Sequence, residues 1–192
     1  MKASTKRSKI IIYLLRRDLR LEDNPIFYKI ANNDPDNLEF TYFLPIYIFS
    51  AQQIEVSGFL KSSDPSPYPE ARSRIAKFWR CGPHRAKFLA ESIWDLKESL
   101  ERIGSGLVTR AGLTKDVIQH AFDYFEKDEA GQAEIVEVWM TGDVTAEEKE
   151  EERKVQQIVE EHGKTFRIFK DEKYFVDEYD HLLTPFGCST PH

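Results

Sequence analysis

The sequence predicts an α/β domain on a doubly wound, Rossmann-like sheet of five parallel strands. Three observations predict it. Short apolar, β-branched or aromatic runs recur five times along the 192 residues. Stretches with helical periodicity separate them, as βαβ crossovers require. The first run, residues 10–15, is apolar without alternation, as a strand buried on both faces should be.

The elements follow in order. After the first strand, Asp23 or Asn24 caps a short helix with Pro25 near its first position, and the helix stops at "NNDPDN". "FTYFLPIYIF" is the second strand. Pro45 inside it predicts an edge position or a distortion, because proline cannot donate to a ladder. Residues 50–83 form an irregular stretch, of a length that is usually functional or disordered. A long helix over about residues 83–103 carries Phe88, Leu89, Ile93, Leu96, Leu100 and Ile103 at core-facing spacing, with Gly104 as its stop. "GLVTR" is the third strand. Thr114 is expected to cap a helix bearing Val117, Ile118, Ala121, Phe122 and Phe125. "EIVEVWM" is the fourth strand. "TAEE" from Thr145 is a capping box opening a very polar helix that ends near Gly163. "TFRIFK" is the fifth strand. Residues 1–9 are expected to be a disordered basic tail, residues 10–180 the domain, and residues 181–192 an irregular tail.

Composition removes several functions. A net charge of -6 argues against nucleic-acid binding by the surface as a whole. Cys81 and Cys188 are too few and too far apart for a disulfide framework or a zinc site, so an intracellular, reducing compartment is the expectation, with no organelle resolved. No apolar run spans a bilayer. The basic leader has no apolar core and is not a secretory signal; a disordered tail and the start of an organelle-targeting sequence both stand. G-x-G-x-x-G, the P-loop and G-x-S-x-G are all missing. The five histidines, at 84, 120, 162, 181 and 192, lack metal-ligand spacing.

Ligands of such sheets bind beyond the carboxyl ends of the strands. The first such loop holds Arg16, Arg17 and Arg20 among Asp18, Glu22 and Asp23. Two readings stand for it: ion pairs pinning a strand-to-helix turn, or an anion or cofactor site at a helix start. Ahead of the long helix, Arg72, Arg74, Lys77, Arg80, Arg85 and Lys87 surround Phe78 and Trp79. Cations interleaved with aromatics can bind a single strand, or the aromatics can anchor a surface loop.

"YLLRRDLRLEDNP" resembles the opening of the DNA photolyase/cryptochrome family, whose first strand runs into an R-x-D-L-R-x-x-D-N turn; Arg17, Asp18, Leu19, Arg20, Asp23 and Asn24 are matched to it. "FLPIYIF" and "FWRCGPHRAKFLAESIWDLKESLERIGSGLVTRAG" are similar to later segments, and "GPHRAKFLAES" with "QQIEVSGFL" to the DASH branch in a fungal version. The resemblance spans about residues 10–180. It implies the N-terminal α/β half of a flavoprotein that uses FAD and blue light for photoreception and repair of cyclobutane pyrimidine dimers. Such proteins often carry a methenyltetrahydrofolate antenna. The resemblance also makes the R-D-L-R turn mainly architectural.

Two departures qualify it. The family's helical FAD domain is not in these 192 residues. The chain by itself is therefore expected to lack flavin, photolyase activity and a pocket for a flipped dimer. DNA is then a partner only in a full-length context, and a separately encoded helical domain is a candidate partner. No membrane partner is expected. Further, DASH relatives place a pterin-binding glutamate after the fourth strand. Here Asp143 of "GDV" takes that place, one methylene shorter. The resemblance gives it either a weak folate contact or only the role of an acid near a helix start.

Overall fold

The computed structural model describes residues 7–32, 40–55, 61, 64–73, 75–126 and 133–169. Five strands, β1 (Ser8–Leu15), β2 (Tyr42–Ser50), β3 (Val108–Gly112), β4 (Ala133–Thr141) and β5 (Thr165–Phe169), alternate with four helices. These are α1 (Pro25–Ala31), α2 (Pro83–Arg102), α3 (Thr114–Glu126) and α4 (Ala146–Glu161). Every pairing is parallel, in the order β3-β2-β1-β4-β5. The strands run outward from β1 in both directions, so crossovers of one hand lay helices on both faces.

β1 is the axis of the core. Ile10, Ile12 and Leu14 pack with Ile118 and Phe122 of α3 and Val155 and Val159 of α4. Ile11, Tyr13 and Leu15 pack on the other face with Ile26 of α1, Ile93, Leu96 and Leu100 of α2, and Trp139 of β4. A bulge between Ile10 and Ile11 shifts the register of β1 against β4. β1 begins at Ser8, so Ser8 and Lys9 belong to the sheet rather than to a tail. Of that expected tail Arg7 is exposed and outside the strand, while residues 1–6, like the expected tail 181–192, lie outside the described residues.

Pro45 is buried inside β2, which is flanked by two strands and is not an edge. The reason it is tolerated is local. β3 begins opposite Ile46, so at Pro45 β2 has a ladder partner on the β1 side, Tyr13, and none named on the other.

Three helix expectations change. Phe88 is 70% exposed and Ile103 67%, so neither belongs to the buried stripe, while Leu89 is half-buried against the core. In the first two turns of α2 Leu89 alone is partly buried, and Ile103 is already the C-cap. Thr114 stands at the first helical position of α3, with Leu113 accepting the amides of Asp116 and Val117; its hydroxyl donates to Glu151 instead. Leu96→Ala should cost about 2–5 kcal/mol, whereas Phe88→Ala should stay within about 0.5 kcal/mol, both read from urea midpoints.

The stretch from 50 to 83 is tied to the sheet where it is described. Ala51 donates to the Gly112 carbonyl at 2.9 Å, and Arg72 bridges Trp79 in an antiparallel turn. Gly112 has φ +146, which favours glycine, and a Cβ there would also meet Tyr68 Oη at 2.9 Å.

Candidate functional site

The strand order reverses between β1 and β4, and a doubly wound sheet opens its ligand crevice at the carboxyl ends of such a pair. Here the crevice is filled by the chain itself. Arg16 follows Leu14 on the α3/α4 side of β1. Its Nη1 donates to Glu152 Oε1 at 2.7 Å and to the Thr141 carbonyl at 3.4 Å. Its Nη2 donates to Glu151 Oε2 at 2.8 Å and to the Glu148 carbonyl at 2.9 Å, and Nε to Glu151 Oε2 at 3.2 Å. Only 12% of the side chain is exposed. Glu152 also receives the Asp143 amide at 3.0 Å, so one buried carboxylate holds the β4–α4 loop to the end of β1.

Arg17 points outward. It reaches Glu148 and lies 3.5 Å from Asp143 Oδ2. Asp143 Oδ1 accepts the Val144 amide at 2.7 Å, just ahead of the Thr145 N-cap. The acid at the end of β4 therefore has one oxygen committed to backbone and one facing an exposed guanidinium.

The rest of the first turn is a separate network. Asp18 is buried and receives Arg20 Nε at 2.9 Å and Arg20 Nη2 at 3.1 Å. Asn24 donates to Tyr13 Oη at 3.0 Å and to Asp18 Oδ2 at 3.3 Å, while its Oδ1 accepts the Ile26 and Phe27 amides. Asn24, not Asp23, is thus the N-cap of α1. Asp23 takes φ +55 to make the corner, and its carbonyl accepts from Arg20. The arginines do not all pair within the turn: Arg16 and Arg17 reach across to α4 and its preceding loop. Arg16 is the buried member of R-x-D-L-R, and Arg17 occupies the x position. Strand parity carried that signal, since Ile10, Ile12, Leu14 and Arg16 share a face.

Beside this cluster lies a cleft of about 290 Å³ over the ends of β1 and β2. Leu15, Leu19, Phe49 and Phe88 wall it, with Arg85 and Tyr47 among its polar groups. Burial pushes the Tyr47 phenol up to about 12, against the pull of Arg85 and with Cys81 adding to the rise. At neutral pH it is an uncharged hydroxyl, able to donate. The cleft suits a planar, partly apolar molecule with an acidic or hydrogen-bonding edge.

The basic stretch is partly neutralised. Arg72 pairs with Glu70 at 2.5 Å and lies 3.8 Å over the Trp79 ring. Arg80 pairs with Glu147 at 2.5 Å, and Lys87 with Glu91 at 3.7 Å. Lys77 is exposed at a left-handed backbone position, and Arg85 is exposed at the cleft. Arg74 lies outside the described residues. Among the described residues no set of His, Cys, Asp and Glu is placed to hold a metal, and no helix is long and apolar enough to cross a membrane.

A family model for DNA photolyase matches residues 11–182. A protein named as a cryptochrome DASH in Gibberella zeae is 45% identical over 92% of this chain and 24% of its own length. One in Neurospora crassa, whose name adds a mitochondrial location, is 45% identical over 92% of this chain and 23% of its own. The chain therefore spans about a quarter of the length of these curated relatives. A Synechocystis cryptochrome structure superposes with a TM-score of 0.64 at 20% identity, over 86% of this chain and 28% of the other. A Sulfolobus tokodaii photolyase, described with two FAD molecules and a novel light-harvesting cofactor, gives 0.57 at 21% identity, over 84% and 29%. At such identities the structures speak for the fold. The sequence match, the strand order and the closed turn after β1 agree, and the chain belongs to the DNA photolyase family, as an α/β domain homologous to the N-terminal region of DASH cryptochromes.

Proposed function

We propose that this chain is the antenna-side domain of a DASH-type cryptochrome, holding a light-harvesting cofactor beside the crevice at the carboxyl ends of β1, β2 and β4. In this reading the flavin belongs to the helical domain of the longer proteins, joined in one chain or supplied separately. Blue-light photoreception and repair of cyclobutane pyrimidine dimers belong to the two parts together. The observation that carries the reading is the cleft: it lies where this topology binds ligands, and Tyr47 and Arg85 give its apolar walls a polar edge. The Sulfolobus photolyase of similar fold is described with two FAD molecules and a novel light-harvesting cofactor, which makes a light-harvesting cofactor a reasonable ligand class to test here.

The first ligand to test is methenyltetrahydrofolate, with Asp143, which lies outside the cleft's lining and beside its Arg17, as its contact. The donor set fits at one point. Asp143 Oδ2 faces the exposed guanidinium of Arg17, and a pterin N–H can replace it. Such an antenna would absorb light and pass excitation to the flavin. Arg17 would follow the displaced charge, and Arg16 would keep the loop in place. Titrating the chain with the folate and reading its absorbance tests this. Asp143→Asn should weaken binding about tenfold, as loss of one charge-assisted hydrogen bond does. The melting temperature should hardly move, because the amide oxygen still accepts Val144 N–H and the lost surface pair is worth under about 1 kcal/mol. No binding to the parent, together with a stability loss of about 0.3–1 kcal/mol in the variant, would leave Asp143 only as an acid near the start of α4.

A further inference from the structure

Building on the cofactor reading above, we propose that the ligand of the cleft has an anionic tail, and that Lys115 of α3 and Lys154 of α4 receive this tail in a second, polar cavity beside the cleft.

The second cavity, of about 600 Å³, lies over the ends of β2 and β3. Residues 68–72, residues 113–115 and α4 supply most of its walls. Ser50, Gln52, Thr114, Glu147 and Glu151 line both this cavity and the cleft of about 290 Å³. A ligand whose planar head lies in the cleft can therefore carry a tail across that common rim. The two linings differ. Leu15, Leu19, Phe49 and Phe88 wall the cleft, whereas half of the residues around the second cavity are charged. The part of a ligand that enters it has to be hydrophilic.

The ion pairs decide the sign of that part. Glu151 is held by Arg16 and Thr114, and Glu147 by Arg80. Arg72 is taken up by Glu70 and the Trp79 ring. The two lysines are held loosely. Lys154 lies 3.3 Å from Glu150, both side chains being about half exposed, and Glu150 keeps Arg153 at 3.0 Å if Lys154 turns away. Lys115 lies 3.8 Å from Asp116, again with both about half exposed. Asp116 stands in the first turn of α3, where the helix dipole favours a negative charge even without a partner. Exposed pairs of this kind contribute little. Both lysines can thus turn to a ligand without stranding an acid, so an anion is what the cavity accepts at least cost. The Thr114–Glu151 hydrogen bond joins α3 to α4 and fixes the backbones that carry the two lysines. The carboxylates of a glutamyl chain and a phosphate both have the required chemistry.

Two affinity ratios, measured on the full chain, test this. One compares methenyltetrahydrofolate bearing three glutamates with the form bearing one. The other compares FMN with riboflavin. At least one ratio should favour the more anionic ligand about tenfold and should shrink in high salt. Lys115→Gln with Lys154→Gln should bring that ratio close to one at an unchanged melting temperature, because both side chains are half exposed. A response of the folate ratio identifies the tail as carboxylate, and a response of the flavin ratio as phosphate. Ratios close to one in the parent, or a ratio that ignores the lysines, overturn the anionic tail while leaving a cofactor in the cleft. If neither folate nor flavin binds in any form, the cofactor reading and the tail fall together.

Discussion

Arg16→Met should destabilise the domain by about 3–5 kcal/mol, because it strands two carboxylates in a site built around a guanidinium. Side-chain exposure is 12% for Arg16 and 10% for Glu152, with Glu151 at 28%. The substitution removes five hydrogen bonds at once, including those to the Thr141 and Glu148 carbonyls. The cost lies in the orphaned charges more than in the lost pair, so it should be largely reversible. Arg16→Met combined with Glu151→Met and Glu152→Gln should recover most of the stability. An amide carbonyl at 152 can still accept the Asp143 N–H. Urea unfolding of the single and triple variants checks both halves. A triple variant as weak as the single one would mean that the cluster stabilises by attraction and not by avoiding stranded charge.

Trp139→Ala should cost a comparable amount, about 3–5 kcal/mol, through a different route. Trp139 is 1% exposed, pairs in register with Tyr13 and Arg167 on its neighbouring strands, and packs on Phe169. Removing it opens a cavity on the α1/α2 face, which is thinly covered because α1 is only seven residues long. Its indole N–H donates to Glu137 Oε2 at 2.6 Å, but Glu137 also holds Arg167. Trp139→Phe should therefore lose only about 1 kcal/mol. Equal losses for the two variants in thermal and urea unfolding would show that the hydrogen bond outweighs the packing.

The order and type of all nine elements were legible because each strand is strongly apolar and each helix periodic. What was not legible has physical causes. Periodicity says that one face of α2 is apolar; it does not say which residues at the edge of that face are covered, so Phe88 was assigned to the core although it is exposed. The sequence marks α4 as a very polar helix, yet its Glu152 is buried because Arg16 sits opposite. A charge can be read as buried only when its partner, more than a hundred residues away in sequence, is known. The turn after β1 was recognisable as a unit, but the motif was laid on Arg17. Alternation along β1 would have chosen Arg16. Asn24 over Asp23 follows from the corner: the residue at positive φ cannot also be the extended N-cap.

The position of β1 also sets an order of assembly. β1, β2 and β3 join through connections that the first part of the chain supplies, but the β1–β4 seam joins residues from opposite ends of the sequence order. Its closure waits until β4 exists and carries the entropy of the longest loop in the sheet. Until then the most apolar strand of the protein has one ladder edge open. That edge is a ready template for another nascent chain. The Arg16 cluster forms only when α4 arrives over this seam, so its buried ion pairs lock a joint made late, and their loss should speed unfolding more than it slows folding.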